Sequence, residues 1–254
     1  MPIPSSIYDL SQTADINSPA GSESPGLIDN YLRTYASYIA QLRDFPGRLI
    51  GTRVFTSNGT YTPSTGTTSI VVECIGGGGG GGGANAAGAG QLSSGGGGGS
   101  GAYAKGRFTS GFSGLAITVG AAGAGGGVGG NGGATSLGGI IAAGGGIGGG
   151  AGIGFTPPGS GAAAGGGGIV TAGGNIITSS GFPAPAPIAL STGAIFNVAG
   201  AQSLFGPGPT GGFGNGTPGA NRGTGGTGAL AGPSSGPYSG GTGASGVMII
   251  WEYS

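Results

Sequence analysis

Few side chains in this chain could do chemistry, and their spacing limits what that chemistry would be. Beyond residue 53 the only carboxylates are Glu73 and Glu252. Glycoside hydrolysis uses such a pair, set on either side of the bond to be cut. Both glutamates sit in apolar stretches, TTSIVVECI and GVMIIWEY, that read as strands of one sheet, so they could lie close together. A structural place, at a strand end or facing solvent or a partner chain, is the better reading of each. The chain has no histidine, which removes Ser-His-Asp triads, Cys-His pairs and the usual metal clusters. Its single Cys74 has no partner for a disulfide. With Ile70 and Val72 on the same strand face, it reads as a small buried hydrophobe. No glycine run continues into Lys-Ser or Lys-Thr, so no phosphate-binding loop is present. The chain is expected not to be an enzyme and to need no metal and no cofactor.

The elements around these residues are unusual, because 72 of the 254 residues are glycine. Runs fall at 76–83, 95–99, 123–133, 144–154, 165–168 and 223–228. Each glycine costs about 0.5–1 kcal/mol more backbone entropy on folding than alanine. Such runs are either floppy linkers or extended three-residue-per-turn helices of the polyglycine II kind. The second can bond laterally in every direction, because no side chain keeps the backbones apart. A positive mean hydropathy and low charge argue against disorder. Between Arg107 and Arg222 there is no charged side chain, and the formal net charge is zero. A nucleic-acid partner is therefore not expected. No apolar run is long enough to span a membrane. The opening MPIPSS lacks the basic and apolar regions of a secretory signal, so synthesis in a cytoplasm is expected.

Residues 1–53 form a separate N-terminal segment in this reading. Within it, 27–45 is the one helix, and Ile28, Leu32, Tyr35, Ile39 and Leu42 step by four and three. That spacing fits a coiled-coil seam or an amphipathic helix on a local core. Residues 54–254 form the second domain. Val54-Phe55 and Tyr61 flank Asn58-Gly59, a hairpin signal. Strands are expected at 67–75 and 246–253, paired in one sheet that brackets the glycine-rich stretch. Shorter strands are expected at 103–108 and 115–119 and around 140–141, 169–170 and 176–177. The fold class is thus mainly β: a small sheet or sandwich base with a polyglycine II-like excursion, preceded by one short helix. Apolar residues on both faces of 70–75 and 247–253 call for a second cover, and threefold association would supply it.

The string FTSNGTYTPSTGTTSIVVECIGGGGGGGG at 55–83 resembles the start of the glycine-rich domain at the distal end of many bacteriophage tail fibres. KGRFT at 105–109, ITVGAAGAGG at 117–126, GNGGATSLGG at 130–139 and GTGASGVMIIWEY at 241–253 match that family in order. SSIYDLSQTADINSPAGSESPG and the helix after it resemble the attachment segment that opens many phage fibre proteins. The resemblance implies a non-enzymatic virion protein, a homotrimer held to phage tail or head proteins through residues 1–53. It implies a distal domain that attaches to a receptor on the host bacterial surface. A head fibre or capsid decoration protein without a receptor role is the alternative. The stretch 155–238 interrupts the glycine pattern with aromatic and proline residues, rigid contact area at low entropy cost. Phe155, Phe182, Phe213 and Tyr238 are its receptor-contact candidates. Ile195-Phe196 and Leu204-Phe205 read as an apolar plug.

Overall fold

Successive side chains of a strand point to opposite faces, so alternating apolar residues bury one face. In the computed structural model, which describes residues 28–43, 47–196 and 198–254, the two bracketing strands are β3 (Ser69–Ile75) and β16 (Val247–Tyr253), side by side. Beyond β16 lies β1 (Leu49–Phe55), and beyond β3 lie β5 (Tyr103–Phe108) and β12 (Ile177–Ser179). A second sheet is made of β2 (Gly59–Thr60), β6 (Ala116–Thr118), β7 (Thr135–Leu137), β8 (Ile141–Ala143) and β11 (Val170–Ala172), in the order β11-β8-β7-β6-β2. One core joins the two sheets. Ile70, Val72, Cys74, Ala104, Met248 and Ile250 meet Ile117, Leu137, Ile141 and Ala143 in it. The described residues are therefore mainly β, a small sandwich with one short helix before it in the chain.

The Asn58-Gly59 turn does not close a hairpin. β1 pairs with β16, whereas β2 pairs with β6, so the turn hands the chain from one sheet to the other. The side chain of Asn58 fixes this crossing by accepting the backbone N–H of Val119 at 2.8 Å.

Cys74 lies in the core, and burial pushes its thiol up to about 12. Thiolate is the reactive form. At pH 8 the native thiol is expected to resist iodoacetamide, and to react at least about a hundredfold faster once denaturant exposes it. Equal rates in the two states would show that the sandwich opens readily.

From β3 the chain runs straight into 76–83 and stays extended. Its N–H groups find neighbours with a period of three. Gly79 and Gly82 donate to Gly99 and Gly96, Gly77 and Gly80 to Gly133 and Gly130, and Gly78 and Gly81 to Ala244 and Gly241. Its carbonyls accept with the same period. Gly78 and Gly81 accept from Gly123 and Gly126, Gly77 and Gly80 from Gly146 and Gly149, and Gly79 and Gly82 from Gly226 and Ala229. One extended helix thus bonds six neighbours, the hexagonal packing open only to backbones without side chains between them. No glycine of 76–83, 95–101, 123–133 or 144–152 has positive φ, so these helices are left-handed. Residues 76–83, 95–101 and 223–229 are buried throughout and make the inside of the bundle. Extended segments within 120–133, 144–152, 162–168, 181–184, 198–219 and 239–246 surround them. In the outer run 144–152 burial itself has a period of three, at Gly146, Gly149 and Gly152. The glycine runs are a lattice and not linkers.

The chain divides into two compact units, one reaching Leu49 with Tyr253 and Ser254, the other Ile50–Glu252. The first contains helix α1 (Ile28–Arg43), within the expected 27–45. The N-terminal residues 1–27 lie outside the described residues.

Candidate contact surface at the loop end of the bundle

All the charges of the second unit, Arg53, Glu73, Lys105, Arg107, Arg222 and Glu252, sit at the sandwich end. Alternation along adjacent strands sends the two carboxylates to opposite faces. Glu252 shares the inward side of β16 with Met248 and Ile250, whereas Glu73 lies between the inward Val72 and Cys74 and points away. They do not form a pair that could flank one bond. Outside, Glu73 Oε2 meets Lys105 Nζ at 3.5 Å, and the same ammonium lies 4.9 Å from the Trp251 ring centroid. This cation–π contact partly covers the outer face of the first sheet, where Val71, Ile249 and Trp251 remain half-buried. Inside, the buried Glu252 carboxylate gathers three partners on Oε1. Tyr61 donates its hydroxyl at 2.8 Å, Ser64 its N–H at 3.3 Å, and Arg53 Nε lies at 3.2 Å. Burial alone would raise this carboxyl. The bonds from Ser64 and Tyr61 and the Arg53 charge outweigh it and hold the carboxyl below its usual value. The result is a structural clamp between β1, the 61–64 turn and β16.

The other end of the bundle is built from loops. These lie at 84–94, 126–128, 152–162, 185–196, 211–214 and 230–239, where the runs turn back. Small sheets stiffen them. One holds β4 (Leu92–Ser94), β9 (Gly154–Phe155) and β15 (Leu230–Ala231), and another β10 (Gly159–Ser160), β13 (Ile188–Ser191) and β14 (Ala194–Phe196).

Three of the four contact candidates come together here. Phe155 is half-buried on β9 opposite Leu92. Phe213 is exposed beside Gly232. Tyr238 is half-buried against Ala84, Ala87, Ala229 and Ala231, and its backbone pairs with Ala84. Phe182 does not join them. It exchanges bonds with Ser100 near the sandwich end, its N–H reaching Ser100 Oγ at 2.8 Å. There it borders a groove of about 510 Å³ with Pro183, Pro185, Gln202 and Pro207. The apolar plug does not form either. Phe196 and Leu204 are exposed, and Phe205 packs on Tyr103 at the sandwich end.

Val128 and Ile153, also exposed at the loop end, carried no pattern in the sequence. The lattice supplies one: its interior admits only small side chains such as those of Ser100, Thr224 and Thr227, so a lone large aliphatic within a glycine run must face out. Val128, Ile147 and Ile153 all do.

In the helix Ile28, Leu32 and Ile39 are exposed, Tyr35 is half-buried, and the side chain of Leu42 lies outside the described ones. Among its described side chains the buried ones are Tyr31 and Tyr38. The seam with heptad spacing is therefore open, and the tyrosine face beside it is covered. No described helix is long and apolar enough to cross a membrane.

A family described as a glycine-rich domain matches residues 54–253. No curated protein matches the chain.

Proposed function

The chain belongs to the glycine-rich domain family, and from that premise we propose that it is a non-enzymatic bacteriophage fibre protein, a short fibre or fibre tip, whose loop end attaches the virion to the host bacterial surface. The observation that carries this reading is polarity. The chain enters and leaves the domain through β1 and β16 at the sandwich end, and a lattice of backbone bonds holds a set of loops at the other. A rigid stalk with its attachment at one end and non-repetitive loops at the other suits presentation of a contact surface. The resemblance of 55–83 and 241–253 to tail-fibre tips supports the same reading. In it residues 1–53 dock on tail or head proteins, and the open seam of Ile28, Leu32 and Ile39 joins copies of the chain into a trimer.

Adsorption competition tests the proposal. The purified chain, added in excess to host cells, is expected to slow adsorption of the parent phage at least about tenfold, since it occupies the same receptors. Unchanged adsorption, with antibody against 54–254 decorating the head, would replace the proposal with a head fibre or decoration protein.

A further inference from the structure

We infer that the partner of the loop end is an uncharged, apolar protein surface, and not an anionic or neutral polysaccharide. The inference rests on the attachment reading above and narrows it.

The first observation concerns charge. No charged residue occurs between Arg107 and Arg222, or between Arg222 and Glu252. All the loops of the free end fall within these two stretches except 84–94, which lies in the equally uncharged stretch between Glu73 and Lys105. Arg222 is tied down at the sandwich end, where Nη1 meets Ser245 Oγ at 2.6 Å. The contact surface has nothing to pair with a phosphate, a carboxylate or an ammonium group. A charged partner would lose hydration there with no compensating ion, which disfavours it.

The second observation concerns what the loops expose instead. Val128, Ile153, Leu190, Phe196 and Phe213 are more than half exposed at this one end of the bundle. Apolar side chains gathered on a rigid frame gain by leaving water together, and only an apolar partner returns that gain. A glycan offers hydroxyls that need directed polar partners. Some of the polar side chains here already have partners within the protein. Gln91 Oε1 accepts from Gly88, Ser160 donates to Pro187, Ser235 donates to Gly232, and Asn215 accepts from Ser239. The absence of charge and the exposed apolar side chains both point to protein.

The test uses the full chain, labelled and added to host cells. Binding is measured across salt from about 0.05 to 1 M, on untreated cells, on protease-shaved cells and on periodate-oxidised cells. Binding is expected to hold level or rise with salt, to be lost on shaved cells and to survive periodate. Leu190→Ser and Phe213→Ser change exposed loop residues and are expected to keep the melting temperature while weakening binding about tenfold. Ile177→Ser, an exposed change at the sandwich end, is expected to leave binding unchanged. Binding that falls steeply with salt assigns a charged partner and overturns the inference. Binding lost to periodate but not to protease assigns a glycan and overturns it too. Loop variants that bind like the parent chain place the contact elsewhere and also overturn it. A chain that binds no host cells under any condition overturns the attachment reading itself.

Discussion

Gly81→Ala is expected to cost the protein its fold at room temperature, or to lower its melting temperature by more than about 10 °C. Gly81 lies inside the lattice, and a methyl group there would land on the carbonyl oxygen of Thr227. That carbonyl belongs to a buried neighbouring run, so it cannot give way as a flexible side chain could. Relief requires separating two backbones, which breaks the lateral bonds of Gly81 to Gly241 and to Gly126. Each such bond is worth about 1 kcal/mol net, close to the 0.5–1 kcal/mol entropy penalty of each glycine. The bundle therefore has little surplus to absorb an overlap of this kind, which belongs with the rare single changes costing more than about 4 kcal/mol. In a domain of this size 1 kcal/mol moves the melting temperature by about 2–4 °C. Gly127→Ala is the control. It sits at the free end without a positive φ, and an added methyl there meets nothing within 4 Å. It is expected to be neutral, or to stabilise by up to about 1 kcal/mol through the unfolded chain. Thermal unfolding followed by circular dichroism compares them. Equal melting temperatures for the two variants would show that the runs do not pack as a lattice.

Gly81 also shows what a sequence can convey about such a fold. That 76–83 must find backbone partners followed from composition, because a residue without a side chain has nothing else to pack. Which partners it finds did not follow. Pairing with 96–102, 127–133 and 241–244 is set by where the intervening loops let the chain turn, and glycine carries no register mark. The sandwich was legible where side chains alternate, as in Ser69–Ile75 and Val247–Tyr253. It was not legible at Thr135–Leu137, where a buried Thr135 takes a place in the sheet usually held by an apolar residue. Its hydroxyl donates to Ile75 and accepts from Gly120, tying the second sheet to the root of the bundle. The hairpin signal at Asn58-Gly59 failed for a related reason. Its amide serves a neighbouring strand, and local turn chemistry cannot reveal a partner sixty residues away. Among the contact candidates, Phe155, Phe213 and Tyr238 interrupt glycine runs at turns. Phe182 opens a run at its root, and spacing alone does not separate the two cases.

Glu252→Ala is expected to destabilise the protein by about 2–3 kcal/mol, the cost of leaving buried hydrogen-bond donors without a partner. The variant would orphan the Tyr61 hydroxyl and the Ser64 N–H. Arg53 adds less, because its side chain is 41% exposed and water takes up its charge. The pH profile separates the charge from the bonds. The folded Glu252 carboxyl titrates below its unfolded value of about 4.3. Its contribution is thus complete above that value and is lost as pH falls through the lower folded one. Tyr61 behaves in the opposite sense. Burial first, and then the bond and the charge of Glu252, raise its hydroxyl well above the ordinary value of 10.0. Its contribution is complete below about 10 and disappears as pH rises through the folded value. Stability should therefore be level between about pH 5 and pH 9 and fall on both sides. Glu252→Gln keeps an acceptor for Tyr61 but has no carboxyl to protonate. It should lower the plateau less than Glu252→Ala and flatten the acid limb. Urea unfolding at a series of pH values measures this. An acid limb of undiminished slope in Glu252→Gln would mean that acid unfolds the protein through other groups, and that the Arg53–Glu252–Tyr61 cluster holds the sandwich by its hydrogen bonds alone.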